Sequence, residues 1–230
     1  MIPNIVHKVV IVDGFDLPEK IPFQHAIDSF KNVKIYSGKD CIEYIKKHYD
    51  ERILAAFNKV KPYSFKCDLF RYLVLYKEGG WYSDMRQICL ESLDKLNETG
   101  HEFYCAIDAP PNEKCMYTAF IGSIPGHPIL KKTFELIVWN IEHEHYGIDC
   151  LYPTGPGAFM SGCIDYIRKF QDKCYIGRHL IGNNNKEVIV FGKTIFIQCK
   201  YNNAKGADNR DLLGANDYGY MWRNWDVYKS

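Results

Sequence analysis

Asp68, Arg71 and Asp84 are the residues of this 230-residue chain whose types and spacing could do chemistry together. The segment Ser64 to Glu78, SFKCDLFRYLVLYKE, carries Phe65, Leu69, Tyr72 and Tyr76 on one stripe of an α-helix. Asp68 and Arg71 share another face of it, because side chains three positions apart are helical neighbours. Gly79 and Gly80 suit a left-handed helix stop. Trp81-Tyr82-Ser83-Asp84 then reads as a short strand with Tyr82 and Asp84 on one side. A tight diglycine turn brings Asp84 back towards the helix, so two carboxylates and a guanidinium converge. Carboxylates accept from vicinal hydroxyls and a guanidinium donates in a fixed fork, which suits the set to a polyol. The plainer alternative is an Asp68–Arg71 ion pair on a solvated face, which is commoner among proteins.

The elements that must position these residues are readable in part. Ile2 to Val12 is apolar and β-branched apart from Asn4, His7 and Lys8, as a buried strand would be, and Asp13-Gly14 ends it. Val33 to Tyr36 is a second strand, followed by a helix from about Lys39 to His48. Ser64 is placed to cap the helix that carries Asp68 and Arg71. Residues 101–108 and 117–123 read as strands. An amphipathic helix runs from Ile129 to His143, and TGPG (154–157) precedes another from Ala158 to Phe170. Residues 187–200 read as a hairpin turning at Gly192-Lys193. Alternating β and α segments predict an α/β fold with a largely parallel sheet and ligands beyond the carboxyl ends of its strands.

Composition narrows the function. Lys plus Arg number 29 against 28 Asp plus Glu, a net charge of +1, whereas nucleic-acid binders show a basic excess or stripe. Nucleic acid is not an expected partner. No linker or repeat interrupts the chain, which predicts one domain over residues 1–230, with 200–230 as a tail or lid. The nine cysteines include no Cys-x-x-Cys pair, so neither a disulfide framework nor a zinc ribbon is expected, and most should be buried thiols. His143 and His145 read as surface residues, not zinc ligands. Without a leader or membrane-length apolar run, a cytoplasmic location is expected, or a catalytic fragment without its anchor. No G-x-G-x-x-G follows the first strand, which excludes a dinucleotide-dependent dehydrogenase. A glycoside hydrolase using Asp68 and Asp84 is disfavoured, because Arg71 would hold Asp68 ionised and unable to donate a proton.

The stretch KPYSFKCDLFRYLVLYKEGGWYSDMR resembles the signature of the DXD-motif glycosyltransferases, the family of the yeast initiating mannosyltransferases and bacterial capsular sugar transferases. Asp68, Arg71, Tyr72, Gly79, Gly80, Tyr82 and Asp84 match that pattern in register. The opening IPNIVHK is similar to the family's first strand, and GSIPGHPIL and TGPG resemble later landmarks. The resemblance implies a GT-A fold, a Rossmann-like mixed sheet flanked by helices. It also implies hexosyl transfer from a nucleotide-sugar to a glycan or other hydroxyl acceptor with retention of configuration. In that likeness Asp68 and Arg71 bind donor-sugar hydroxyls, Asp84 lies between sugar, ribose and metal, and Tyr82 packs nearby. Asn216, Asp217 and Trp222 would close over the diphosphate from the tail.

Two positions depart from the pattern. Where the family carries a second aspartate, the ligand of Mn²⁺ or Mg²⁺, this chain has Arg86. A fixed positive charge beside a hard cation is repulsive. Three readings follow: Arg86 holds the diphosphate in place of the metal, Asp84 with tail groups still holds an ion, or catalysis is lost and a sugar-binding module remains. Lys200, Lys205 or Arg210 could add positive charge at the phosphates. Relatives carry an aromatic near position 10 that stacks on the base, whereas this chain has Val10.

Overall fold

The computed structural model describes residues 1–89, 92–97, 100–107, 116–169, 174–181, 184–191, 194–198 and 223–229. The chain opens β1 (Val6–Val9), α1 (Gln24–Asp28), β2 (Val33–Tyr36), α2 (Gly38–His48) and α3 (Glu51–Lys59). Then come α4 (Tyr63–Glu78), β3 (Gly80–Ser83), α5 (Leu93–Asn97), β4 (Phe103–Ile107) and β5 (Met116–Ser123). The remaining elements are α6 (Pro128–Glu142), α7 (Pro156–Lys169), β6 (Cys174–Ile181), β7 (Asn184–Phe191) and β8 (Thr194–Gln198). Five strands in the order β2-β1-β3-β5-β4 form a mixed sheet flanked by helices, and β8, β7 and β6 continue it beyond β4.

The sheet is mixed, as the family resemblance implies, and not largely parallel as the β-α alternation alone suggested. β1 is parallel to β2 and β3, and β4 to β8, but β5 runs antiparallel to both β3 and β4. Chain order accounts for this: β3 and β4, with α5 between them, run in the same direction, and β5, the next element after β4, returns antiparallel between them. β7 and β8 are the expected antiparallel hairpin.

Local chemistry explains most element ends. Ser37 caps α2 reciprocally, its hydroxyl accepting from the Asp40 N–H while the Asp40 carboxylate accepts from the Ser37 N–H. Asp50 caps α3, a helix the sequence reading did not assign. Ser64 does not cap α4. The Pro62 carbonyl accepts from the N–H groups of Phe65 and Lys66 at 3.1 Å, so the cap lies two positions earlier, at Pro62. That leaves the Ser64 hydroxyl inside the first turn, buried and without a hydrogen-bond partner among the described residues. β1 is shorter than the apolar run Ile2–Val12, because its partner β2 supplies four residues and the Val10 N–H is the last to reach it, at Tyr36 O.

Helix α4 is buried over nearly its whole surface, from Phe65 to Leu75 apart from Cys67. It lies between the sheet, where it meets β1, β3 and β5, and α6. Fully buried Leu69, Phe70 and Leu73 each contribute roughly 1.5–3 kcal/mol by leaving water. Alternation along β3 sends Tyr82 to this α4 side and Trp81 to a second core with Val6, Phe30, Leu93 and Tyr104. Among the described residues no helix is long and apolar enough to cross a membrane. Cys41, Cys67, Cys89, Cys105, Cys150 and Cys163 are free thiols.

Candidate active site

The diglycine bend aims β3 at the site. Gly79 ends α4 with φ 69° and ψ −159°, not the left-handed helical stop expected, while its N–H still donates to Leu75 O at 2.8 Å. That backbone runs from helix straight into strand. Gly80 follows at φ +94°, where a Cβ would sit 2.7 Å from Ile5 Cγ2 and 2.8 Å from Ile5 O. Both the dihedral and the approach of β1 therefore require glycine.

Asp68, Arg71 and Asp84 come together as the spacing predicts. Arg71 Nη2 lies 2.7 Å from Asp68 Oδ1 and 3.5 Å from Asp84 Oδ1, and Nη1 donates to Thr118 O at 2.5 Å. The guanidinium carbon stands 4.5 Å from the centre of the Tyr82 ring, and Arg71 Nε has no partner among the described residues. The Asp68–Arg71 pair is not on a solvated face: the Arg71 side chain is 5% exposed and that of Asp68 12%, against 40% for Asp84. Asp84 is thus the carboxylate that meets solvent, standing just past the carboxyl end of β3.

Burial raises the Asp68 carboxyl above its ordinary range, while the Arg71 charge and the Thr154 hydroxyl act against it. Arg71 remains protonated: burial disfavours its charge, but Tyr82, Asp84 and Asp68 outweigh that. Burial also pushes the Tyr82 phenol well up, so it stays neutral. Such a pair says little about net stability, because desolvation consumes most of the Coulomb gain. Its consequence is geometric: the guanidinium cannot swing away without leaving Asp68 uncompensated.

Other expected residues lie apart from this cluster. Arg86 is exposed, its guanidinium carbon 5.8 Å from the Phe23 ring centre. Val10 is buried at the end of β1. Asn216, Asp217 and Trp222, with Lys200, Lys205 and Arg210, lie outside the described residues. His7 is a satisfied strand histidine, bonded to Tyr36 Oη at 3.1 Å and Gly79 O at 3.0 Å. His143 is exposed and stacks on Trp139.

Two participants were missed. Thr154 Oγ1 donates to Asp68 Oδ2 at 2.9 Å, bringing the TGPG segment onto the acid. A Cβ on Gly155 would lie 3.4 Å from the same oxygen, which keeps that approach close. TGPG was visible as a motif, but nothing local tied it to Asp68. Lys8, buried in β1, donates to Ser83 Oγ and Asp84 O, both at 2.9 Å. Its signal was a lysine inside an apolar strand.

The described residues do not fit a divalent ion. Such an ion needs several carboxylate or carbonyl oxygens. Here Asp84 is the one accessible acid of the cluster and already faces a guanidinium at 3.5 Å. No group of three or more His, Cys, Asp or Glu side chains that could hold a metal occurs among the described residues.

Comparison with known proteins gives a separate line of likeness. Residues 20–102, which hold Asp68, Arg71, Asp84 and Arg86, match the family described as glycosyltransferase sugar-binding region containing DXD motif. That stretch is similar to a glycosyltransferase sugar-binding region. The chain is 29% identical over 173 residues to the uncharacterized glycosyltransferase L373 of Acanthamoeba polyphaga mimivirus, covering 73% of this chain and 67% of that protein. It is 28% identical over 126 residues to the initiation-specific alpha-1,6-mannosyltransferase of Schizosaccharomyces pombe, covering 44% of this chain. The protein of the same name from Candida albicans is 24% identical over 170 residues, covering 58% of this chain. The chain spans 31% and 43% of the lengths of these two mannosyltransferases. Among solved structures, the PaToxG glycosyltransferase superposes with a TM-score of 0.56 at 20% identity, over 75% of this chain and 72% of that one. That last likeness concerns the fold, a mixed α/β sheet consistent with GT-A. The family model and the relatives that match are of glycosyltransferases, which supports a transferase.

Proposed function

We propose that this chain transfers a hexose from a nucleotide-sugar to a hydroxyl of a glycan or other acceptor, with retention of configuration. The observation that carries this reading is Asp84, a half-open carboxylate beyond the end of β3 whose partner, Arg71, is locked in place by Asp68 and Thr118. Donor-sugar and ribose hydroxyls would donate to Asp84, and Arg71 Nε, unpartnered among the described residues, is a donor that a sugar oxygen could satisfy. Asp68 then acts at the sugar by holding Arg71. Tyr82 forms the floor beneath the guanidinium.

Transfer requires stabilisation of the departing diphosphate and of an oxocarbenium-like sugar more than it requires a strong base. Arg86 is a mobile-length cation two residues past Asp84, and Lys200, Lys205 and Arg210 are further candidates for the phosphates. A leaving phosphate oxygen takes the acceptor's proton in this scheme, so no separate general base is assigned. Asn216, Asp217 and Trp222 would close over the diphosphate, and the chain around Val10 would face the base. Residues 1–230 work as one domain in this reading.

A second reading is a nucleotide-sugar-binding module without turnover. It is favoured by Arg86, which stands at the second acidic position of the motif and faces Phe23 instead of Asp84. One experiment separates the two: a thermal-shift screen of UDP- and GDP-hexoses, with and without Mn²⁺, followed by donor hydrolysis with the best binder. We predict stabilisation that does not depend on Mn²⁺, is lost in Asp84→Ala, and is accompanied by hydrolysis. Binding without hydrolysis favours the module. Absence of any stabilisation, or an unaltered response in Asp84→Ala, would sink the assignment of this site.

A further inference from the structure

Lys8 is an ammonium at the centre of the molecule with no exposed surface. Its strand neighbours Val6 and Val9 are core residues, and a methionine or leucine would fill the same space without the cost of desolvating a charge. The ammonium's donors are nonetheless accounted for. Two go to Ser83 Oγ and Asp84 O, each at 2.9 Å, and the group also lies 4.6 Å from the centre of the Phe30 ring. Register explains the reach: β1 runs parallel to β3 with Val6 beside Trp81 and His7 beside Tyr82, so Lys8 comes next to Ser83.

The two cations near Asp84 approach from opposite faces of the sheet. Arg71 descends from α4 onto the carboxylate, whereas Lys8 points into the core that holds Phe30 and Trp81 and grips the main chain. The Asp84 peptide groups are thereby fixed at both ends. Its N–H donates to Ala119 O at 2.9 Å, and its carbonyl accepts from Lys8 Nζ, from the Gln87 N–H at 3.0 Å and from the Ser83 hydroxyl at 3.3 Å.

We infer that Lys8 is a positioning residue for Asp84, holding its peptide so that the carboxylate keeps the orientation in which it meets the donor. This rests on the donor-site reading of Asp84, but its structural half can be tested without that reading. Lys8 touches no ligand; it acts through the Asp84 carbonyl.

The test is a double-mutant cycle of Lys8→Met with Asp84→Asn, using the UDP- or GDP-hexose that stabilises the wild type most. Lys8→Met should weaken the dissociation constant about tenfold or more, the scale of one charge-assisted hydrogen bond, and produce no further loss in the Asp84→Asn background. A lysine that merely filled the core would cost the same in both backgrounds, and that result would overturn the proposal. Ser83→Ala removes the other acceptor and the longer bond from the Ser83 hydroxyl to Asp84 O at 3.3 Å but keeps the Lys8 bond to that carbonyl, so it should stay within about threefold of wild type; a loss as large as that of Lys8→Met would assign the contact to Ser83 instead. If Lys8→Met fails to fold, Lys8→Gln, which removes the charge but leaves a polar side chain in the strand, takes its place in the same cycle with the same two outcomes. Should no nucleotide-sugar bind the wild type, the donor-site reading fails by itself, and amide hydrogen exchange still judges Lys8. The Gln87 amide, which donates to Asp84 O, should exchange at least about tenfold faster in Lys8→Met, while that of Val10 holds its rate. Equal rates at Gln87 in the two proteins would reject the positioning role.

Discussion

Replacing Arg71 with methionine tests the buried cluster on which the site depends. Methionine keeps most of the volume but removes the bond to Asp68 at 2.7 Å, the bond to Thr118 O at 2.5 Å and the contact with Asp84 at 3.5 Å. Asp68, its side chain 12% exposed, is then left with Thr154 as its one polar contact from those described above. Stranding one member of a buried pair costs about 3–5 kcal/mol. For a chain of this size that lowers the melting temperature by about 6–20 °C. The pH dependence follows from the same group. Burial already raises the Asp68 carboxyl and Arg71 opposes it, so removing Arg71 lets the rise prevail. A carboxyl raised above its unfolded value binds its proton more tightly when folded, so its stability contribution is present at low pH and is lost as pH rises through the folded value. The deficit of Arg71→Met relative to wild type should therefore be smaller at pH 5 than at pH 8. Adding Asp68→Asn, which still accepts from Thr154 but carries no charge, should recover a large part of the loss. Urea melts of the three proteins at both pH values measure this. A deficit below about 1 kcal/mol, one equally wide at both pH values, or no rescue by asparagine would refute the account of the cluster.

Two further predictions concern the elements around it. Lys66 is buried on α4 with its ammonium on Phe57 O, and burial together with the Lys229 charge draws its pKa from the ordinary 10.5 to about 7. The unfolded chain then binds more protons than the folded one between these values, so wild-type stability should rise relative to Lys66→Met by roughly 2–3 kcal/mol from pH 6 to pH 9; a constant difference in paired melts would contradict it. Gly80→Ala should destabilise by several kcal/mol, about 1–3 for the φ of +94° and a similar amount for the clash with Ile5. Gly14→Ala, also at positive φ but with nothing within 4 Å of its Cβ, should cost only about 1 kcal/mol. Equal melting temperatures for the two alanine variants would refute the packing argument.

Much of the site was legible because it is local. Asp68, Arg71, the diglycine bend, Tyr82 and Asp84 span a single helix, turn and strand, and backbone periodicity alone places them together. The face they occupy was not legible. An isolated helix of this pattern reads as amphipathic, yet α4 is enclosed by the sheet and α6, which turns an expected surface ion pair into a buried one. Ser64 illustrates the same limit at smaller scale, since the choice between it and Pro62 as the cap depended on which carbonyl the first turn reached.

What the amino-acid sequence by itself determined is the motif, its α/β setting and the departure at Arg86, because each depends on residue type and on spacings short enough for the backbone to enforce. Which residues close the cluster depended on long-range packing. Thr154 is 86 positions from Asp68, and Lys8 is 76 from Asp84. Contacts at such separation are selected by strand order and register, here by β1 lying beside β3 and by α7 starting against α4, and no local periodicity encodes that choice. The antiparallel β5 is of the same kind: its pairing with β3 places the Thr118 and Ala119 carbonyls where Arg71 and Asp84 need acceptors.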